Sequence, residues 1–210
     1  MKVFKKVVSC ALAVTLMLAP TMQANASSTK GNDEVVSSEG TSVSTETISE
    51  IPSTSSVGSV KSSVSGVYLA TKVNGTAITT PLNDLKNGYG LASNEKPYAK
   101  FANMDPKKSP LAKACIDQAA AANNAEVGPM LNVELGKMAN GKYSLLSADG
   151  ADIRLSFGIP KNFANAGKTY AVICVRKAGA VSVLKDIDDN PNTVTFDTKG
   201  GAGAYAIIRY

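Results

Sequence analysis

The chain runs to 210 residues, 44% hydrophobic, 19% charged and 6% aromatic, which admits one globular domain with attachments and excludes collagen-like and wholly disordered chains. It contains no His and no Trp, and without imidazole there are no Ser-His or Cys-His nucleophile pairs, no His-ligated zinc and no His general base. The formal charge is +5, and residues 66–210 hold 17 basic against 12 acidic side chains with no basic stripe or interleaved aromatics, so no nucleic-acid partner is expected. A mildly basic face of this kind attracts anionic wall polymers or membrane headgroups only weakly and with strong salt dependence.

Residues 1–26 have the three parts of a signal peptide in order. Lys2, Lys5 and Lys6 form a positive start, Val7 to Leu18 an apolar stretch, and Pro20 breaks the helix before Ala24-Asn25-Ala26, whose small residues suit signal peptidase. A dozen residues rising ~1.5 Å each reach about 18 Å, short of the ~30 Å hydrocarbon core, so cleavage near Ala26 is expected rather than anchoring. Cys10 lies inside the apolar stretch, where cutting would leave most of that stretch on the mature protein, so a lipid anchor is not expected. No second run of membrane length and no Leu-Pro-x-Thr-Gly pattern follows, which predicts a secreted or non-covalently held protein on the extracellular side.

Residues 27–65 contain 19 Ser and Thr among 39 positions and no aromatic residue. Such a stretch has little apolar surface to offset its ordering entropy, and a disordered linker is expected, either a passive tether or an O-glycosylated stalk.

Residues 66–210 read as one β-sandwich domain. Val67 to Val73 alternates, and Asn74-Gly75 predicts a tight hairpin turn into Thr76 to Thr79. Thr80-Pro81 starts a short helix near 81–86. Ser109-Pro110 starts a longer, Ala-rich one reaching Asn123-Asn124. Val127 to Leu135 predicts a long strand, Asn140-Gly141 its turn, and Lys142 to Leu146 the return. Further strands are expected at 153–157, 169–176, 180–184, 193–197 and 204–209. Short strands about ten residues apart, with Gly, Asn and Asp between them, predict a mainly β, antiparallel two-sheet sandwich carrying one inserted helix and a short helical turn.

The segments GIPKNF, TYAVICVRKAGAVSVL, TVTFDT and GAGAYAIIRY, within about 150–210, resemble the closing strands of secreted or cell-surface β-sandwich modules of Gram-positive bacteria. That resemblance implies an immunoglobulin-like sandwich in a family without an assigned function, and it carries no catalytic residues.

Several patterns bear on chemistry. Asp186, Asp188 and Asn190 have the one-three-five spacing of a calcium loop, with Asp197 at the twelfth position, but Pro191 stands where the loop needs Gly, and a solvated hairpin turn is expected in its place. Cys115 and Cys174 can bridge in an exported chain, yet both fall on apolar faces where Cys serves as a small hydrophobe. Neither has a base to activate it. Glu95, Glu126 and Glu134 offer no recognisable glycosidase pairing, and no Lys-Asn or Lys-Asp pair is marked for an isopeptide cross-link. Tyr89, Tyr98 and Phe101, in the stretch NGYGLASNEKPYAKF, are candidates for a sugar-binding loop or for covering one end of the core. No catalytic residue, metal site or cofactor is expected. The reading is a non-enzymatic module acting in binding or structure at the envelope, its partner an extracellular protein or glycan. A carbohydrate-binding module or a hydrolase with an unrecognised carboxylate site are the alternatives.

Overall fold

A computed structural model describes residues 46–47 and 53–210. The expected signal peptide, and the linker apart from 46–47 and 53–65, lie outside the described residues.

The described chain is mainly β, with two α-helices. Its strands are β1 (Glu46–Thr47), β2 (Ser56–Val57), β3 (Val60–Lys61), β4 (Gly66–Leu69), β5 (Thr76–Ile78), β6 (Lys96–Asn103), β7 (Glu126–Ala139), β8 (Lys142–Leu145), β9 (Ile153–Gly158), β10 (Tyr170–Val175), β11 (Val181–Lys185), β12 (Thr193–Thr198) and β13 (Gly201–Arg209). Helix α1 is Leu82–Gly88 and α2 is Pro110–Ala122.

Strand β7 organises an eight-stranded sheet. One edge pairs with β6 along 131–138. The other pairs with β13 along 126–135 and then with β8 along 136–139. The sheet continues from β13 through β10 to β11, from β8 to β1, and from β6 to β4. A three-stranded sheet, β12-β9-β5, lies over one face.

Period-two alternation builds three layers. On β10, Tyr170, Val172 and Cys174 enter the core between the sheets, while Ala171, Ile173 and Val175 join a second core with Ile116, Ala119 and Ala120 of α2. On β13, Tyr205 and Ile207 point inward, and Ala204, Ala206 and Ile208 point toward the helix. Phe157 and Phe196 of the small sheet meet Tyr205 of the large one at ring-centroid distances of 6.4 and 6.1 Å.

Several expectations are met. The β7–β8 turn has Asn140 at φ 52° and Gly141 at φ 74°, the two positive angles of a type I′ turn. Helix α2 starts at Pro110 and ends before Asn124, whose φ is 52°.

Four expectations are corrected. The sheets are mixed, because β4 pairs with β6 in parallel, Gly66 against Ala99 through Leu69 against Ala102. Asn74-Gly75 does not close a hairpin between its flanking strands. β4 joins the large sheet and β5 the small one, and the turn is spent on changing layers, with Gly75 at φ +90° and its carbonyl accepting from Gly158 N–H.

The third correction is the linker boundary, since residues 53–65 are folded. Val57 and Val64 are buried, and Ser62 Oγ accepts from Ile78 N–H at 3.1 Å and bonds Tyr68 OH at 2.8 Å. Ser63 N–H bonds Ile78 O, so hydroxyls and two valines stand in for a conventional strand. The fourth is β6 (Lys96–Asn103), most of which falls in the stretch NGYGLASNEKPYAKF, where the sequence predicts no strand.

Among the described residues no helix is long and apolar enough to cross a membrane.

Candidate functional site

The residues singled out from sequence do not converge. Tyr98 and Phe101 both lie on β6 and, three positions apart, face opposite sides of it. Phe101 is 0% exposed, stacked on Tyr68 at 5.2 Å and edge-on to Phe157. Tyr98 is 3% exposed and packs edge-on against Tyr143 at 5.7 Å. Tyr89, just past α1, donates to Ala151 O at 2.7 Å and accepts from Gly200 N–H at 2.8 Å, and burial raises its phenol pKa. These rings serve the core and its margin and do not form a sugar-stacking loop.

The acidic loop is likewise engaged with itself. Asp186 Oδ1 accepts from Thr195 N–H at 2.9 Å, Asp188 Oδ1 from Asn190 N–H at 2.8 Å, and Asn190 Oδ1 from Asn192 N–H at 3.1 Å. Burial nevertheless raises the pKa of the Asp186 carboxyl. Asp197 faces elsewhere, gripped by Arg154 through bonds of 2.9 and 3.0 Å. The loop is not a hairpin turn: β11 lies in the large sheet and β12 in the small one. It is a run of Asx turns carrying the chain between layers.

Each of the three glutamates sits beside a cation. Glu95 accepts from Lys137 Nζ at 2.6 Å, Glu126 from Arg209 at 2.7 Å, and Glu134 lies 3.9 Å from Lys100. The hydrogen bond from Lys137, seconded by Ala92 N–H, holds the Glu95 carboxyl below the usual range.

Cys115 and Cys174 are not bridged to each other. Alternation separates them, since Cys174 belongs to the core between the sheets and Cys115 lies by the core under α2. Beside Cys174, Arg176 donates to Gly200 O, Lys199 O, Thr198 Oγ1 and Tyr205 OH at 2.7–3.1 Å. Burial raises the pKa of both the Cys174 thiol and the Tyr205 phenol, so this node closes the β12–β13 turn and holds no nucleophile ready at neutral pH.

One concavity among the described residues was not anticipated. A cleft of about 560 Å³ opens where β6 ends. Met104 N–H bonds Met130 O, and two residues on the ladder would need a donor at position 106, where Pro106 has none. The partner strand β7 carries a bulge at the same level. Val127 and Met130 face Ile208 and Ala206, leaving Gly128 and Pro129 against Ile207, a site that tolerates Pro. Gly128 is required, since a Cβ there would sit 2.6 Å from the Phe163 ring.

Asparagines pin the surrounding loops. Asn103 Oδ1 accepts from Lys72 N–H and its Nδ2 donates to Thr71 Oγ1, while Asn74 Nδ2 donates to Ile159 O. Pro129, Met130 and Pro160 give the cleft apolar walls, and Thr71, Lys72 and Asn162 supply hydrogen-bonding groups. No carboxylate or thiol is among its lining residues. The lining comes from four separated segments, so no spacing motif could have revealed it. The recurrence of X-Pro at 106, 129 and 160 was the one local signal.

No family model, no curated protein and no solved structure matches the chain.

Proposed function

We propose that the chain is an exported, non-enzymatic module that acts by binding, at the cell envelope or outside the cell. The observation that carries the binding half is the end cleft, a preorganised concavity whose walls are tied by Asn74 and Asn103 and whose lining mixes apolar surface with a few donors. Export rests on the leader pattern of residues 1–26. The immunoglobulin-like kinship suggested by residues 150–210 belongs to the same proposal; two sheets facing one aromatic core are compatible with it.

The alternatives fare less well on the same residues. A stacked sugar needs an exposed ring, and Phe163, the one ring lining the cleft, is 7% exposed. A glycosidase needs two carboxylates across a cleft, whereas Glu95, Glu126 and Glu134 each face a cation.

The test is expression of the full chain in a Gram-positive host, N-terminal sequencing of the product and its sedimentation with isolated envelopes. A secreted product starting at Ser27 that sediments, and that loses sedimentation when Asn162→Trp blocks the cleft, is expected. A chain that keeps Met1 inside the cell, or one that sediments equally with the cleft blocked, overturns the reading.

A further inference from the structure

We propose that the end cleft takes a flexible, phosphate-bearing polyanion, held by Lys72, Lys107, Lys108 and Lys161. This rests on the reading of the cleft as the binding surface and names its ligand chemistry. Lys72 is in the cleft wall. Lys161 lies between the lining residues Pro160 and Asn162, and Lys107 and Lys108 directly follow Pro106. All four are exposed, and none has a carboxylate within 4 Å among the described residues. Two acids lie at this end. Glu126 is held by Arg209, and Asp105 accepts from Lys107 N–H but keeps its charge. Four lysines against that one carboxylate leave the rim net positive beside an apolar floor.

The kind of cation matters. All three arginines in the described residues are already engaged: Arg154 with Asp197, Arg176 with the β12–β13 turn, and Arg209, behind the cleft's Phe163, with Glu126 and Phe163 O. A rim built from lysine alone offers movable point charges, which suit phosphates along a flexible chain. A fixed carboxylate is better met by the bidentate fork of Arg. Nucleic acid shares the phosphate but also gains from base stacking, and the one ring lining the cleft is covered.

The test compares binding of the secreted protein to poly(glycerol phosphate), to a single-stranded oligonucleotide and to poly-glutamate, matched in charge, across about 50–200 mM salt. Poly(glycerol phosphate) is expected to bind best, with log affinity falling against log salt at a slope of about −3, as four contacts imply. Lys72→Gln with Lys161→Gln is expected to halve that slope. Lys96→Gln with Lys142→Gln, at the far end of β7, is expected to leave it unchanged. Equal losses from the two double variants, equal affinity for poly-glutamate or tighter binding of the oligonucleotide overturns the proposal. Envelope sedimentation that ignores salt yet is blocked by Asn162→Trp also overturns it, and leaves the binding reading standing.

Discussion

The two faces of the large sheet are built from different sizes of side chain. Between the sheets the core is aromatic: Phe157 lies edge-on to Phe101 at 6.2 Å and to Phe196 at 5.0 Å, with Tyr205 closing the group. Under α2 the core has no ring, and Ala119 and Ala120 of the helix share it with Ala171, Ala204 and Ala206 of the sheet. Stacked sheets lie about 10 Å apart and need large groups to fill the gap. A helix laid on small side chains can approach closely and fill its interface with backbone and methyls. β10 and β13 serve both layers: Tyr170 and Tyr205 face the core between the sheets, whereas the helix-facing Ala171, Ile173, Ala204, Ala206 and Ile208 of the same strands carry no ring.

Substitutions that ignore this division should cost most. Phe157→Ala removes the ring shared by three aromatic neighbours and is expected to lower stability by about 3–5 kcal/mol, read from the urea midpoint. Ala206→Leu forces a larger group beneath α2 and is expected to cost about 1–3 kcal/mol. Ala202→Leu, on the exposed part of the same strand, should stay within about 0.5 kcal/mol, and equal effects would break the comparison. Arg176→Met removes the donor to Gly200 O and Lys199 O and leaves Thr198 Oγ1 and Tyr205 OH with their bond to each other, an expected loss of about 1–3 kcal/mol in the same assay.

The division also predicts reactivity. Buried between the sheets with its pKa raised, Cys174 should resist a thiol reagent until the protein unfolds, whereas half-exposed Cys115 should react in the native state. The smallest effect concerns Glu95. Its folded pKa is depressed, so its contribution to stability is present above the ordinary value of 4.5 and fades as the pH falls through the folded pKa. Glu95→Gln should remove that acid-side slope from a urea–pH series and change little at neutral pH.

Local chemistry was legible where a turn had one use. Asn140-Gly141 joins strands that pair with each other, so the dipeptide predicts both the turn and the pairing. Asn74-Gly75 has the same letters and joins strands of different layers, a choice made by distant partners such as Gly158. β6 escaped notice because both its faces are covered, which erases the alternation of a half-buried strand, and because Pro97 follows a polar run. The folded part of the Ser/Thr-rich lead was missed because composition counts hydroxyls without seeing Ser62 and Ser63 bond to Ile78. The cleft joins residues from 71 to 163 and exists only once the chain has folded.

Strand β13 has a consequence for how the protein folds. It lies between β7 and β10, in the middle of the large sheet, although it ends at Arg209. Until residues 201–209 are in place, β7 and β10 cannot be joined and the large sheet stays in two pieces. Closing the sheet is thus a late, long-range step, made by the strand farthest along the described chain.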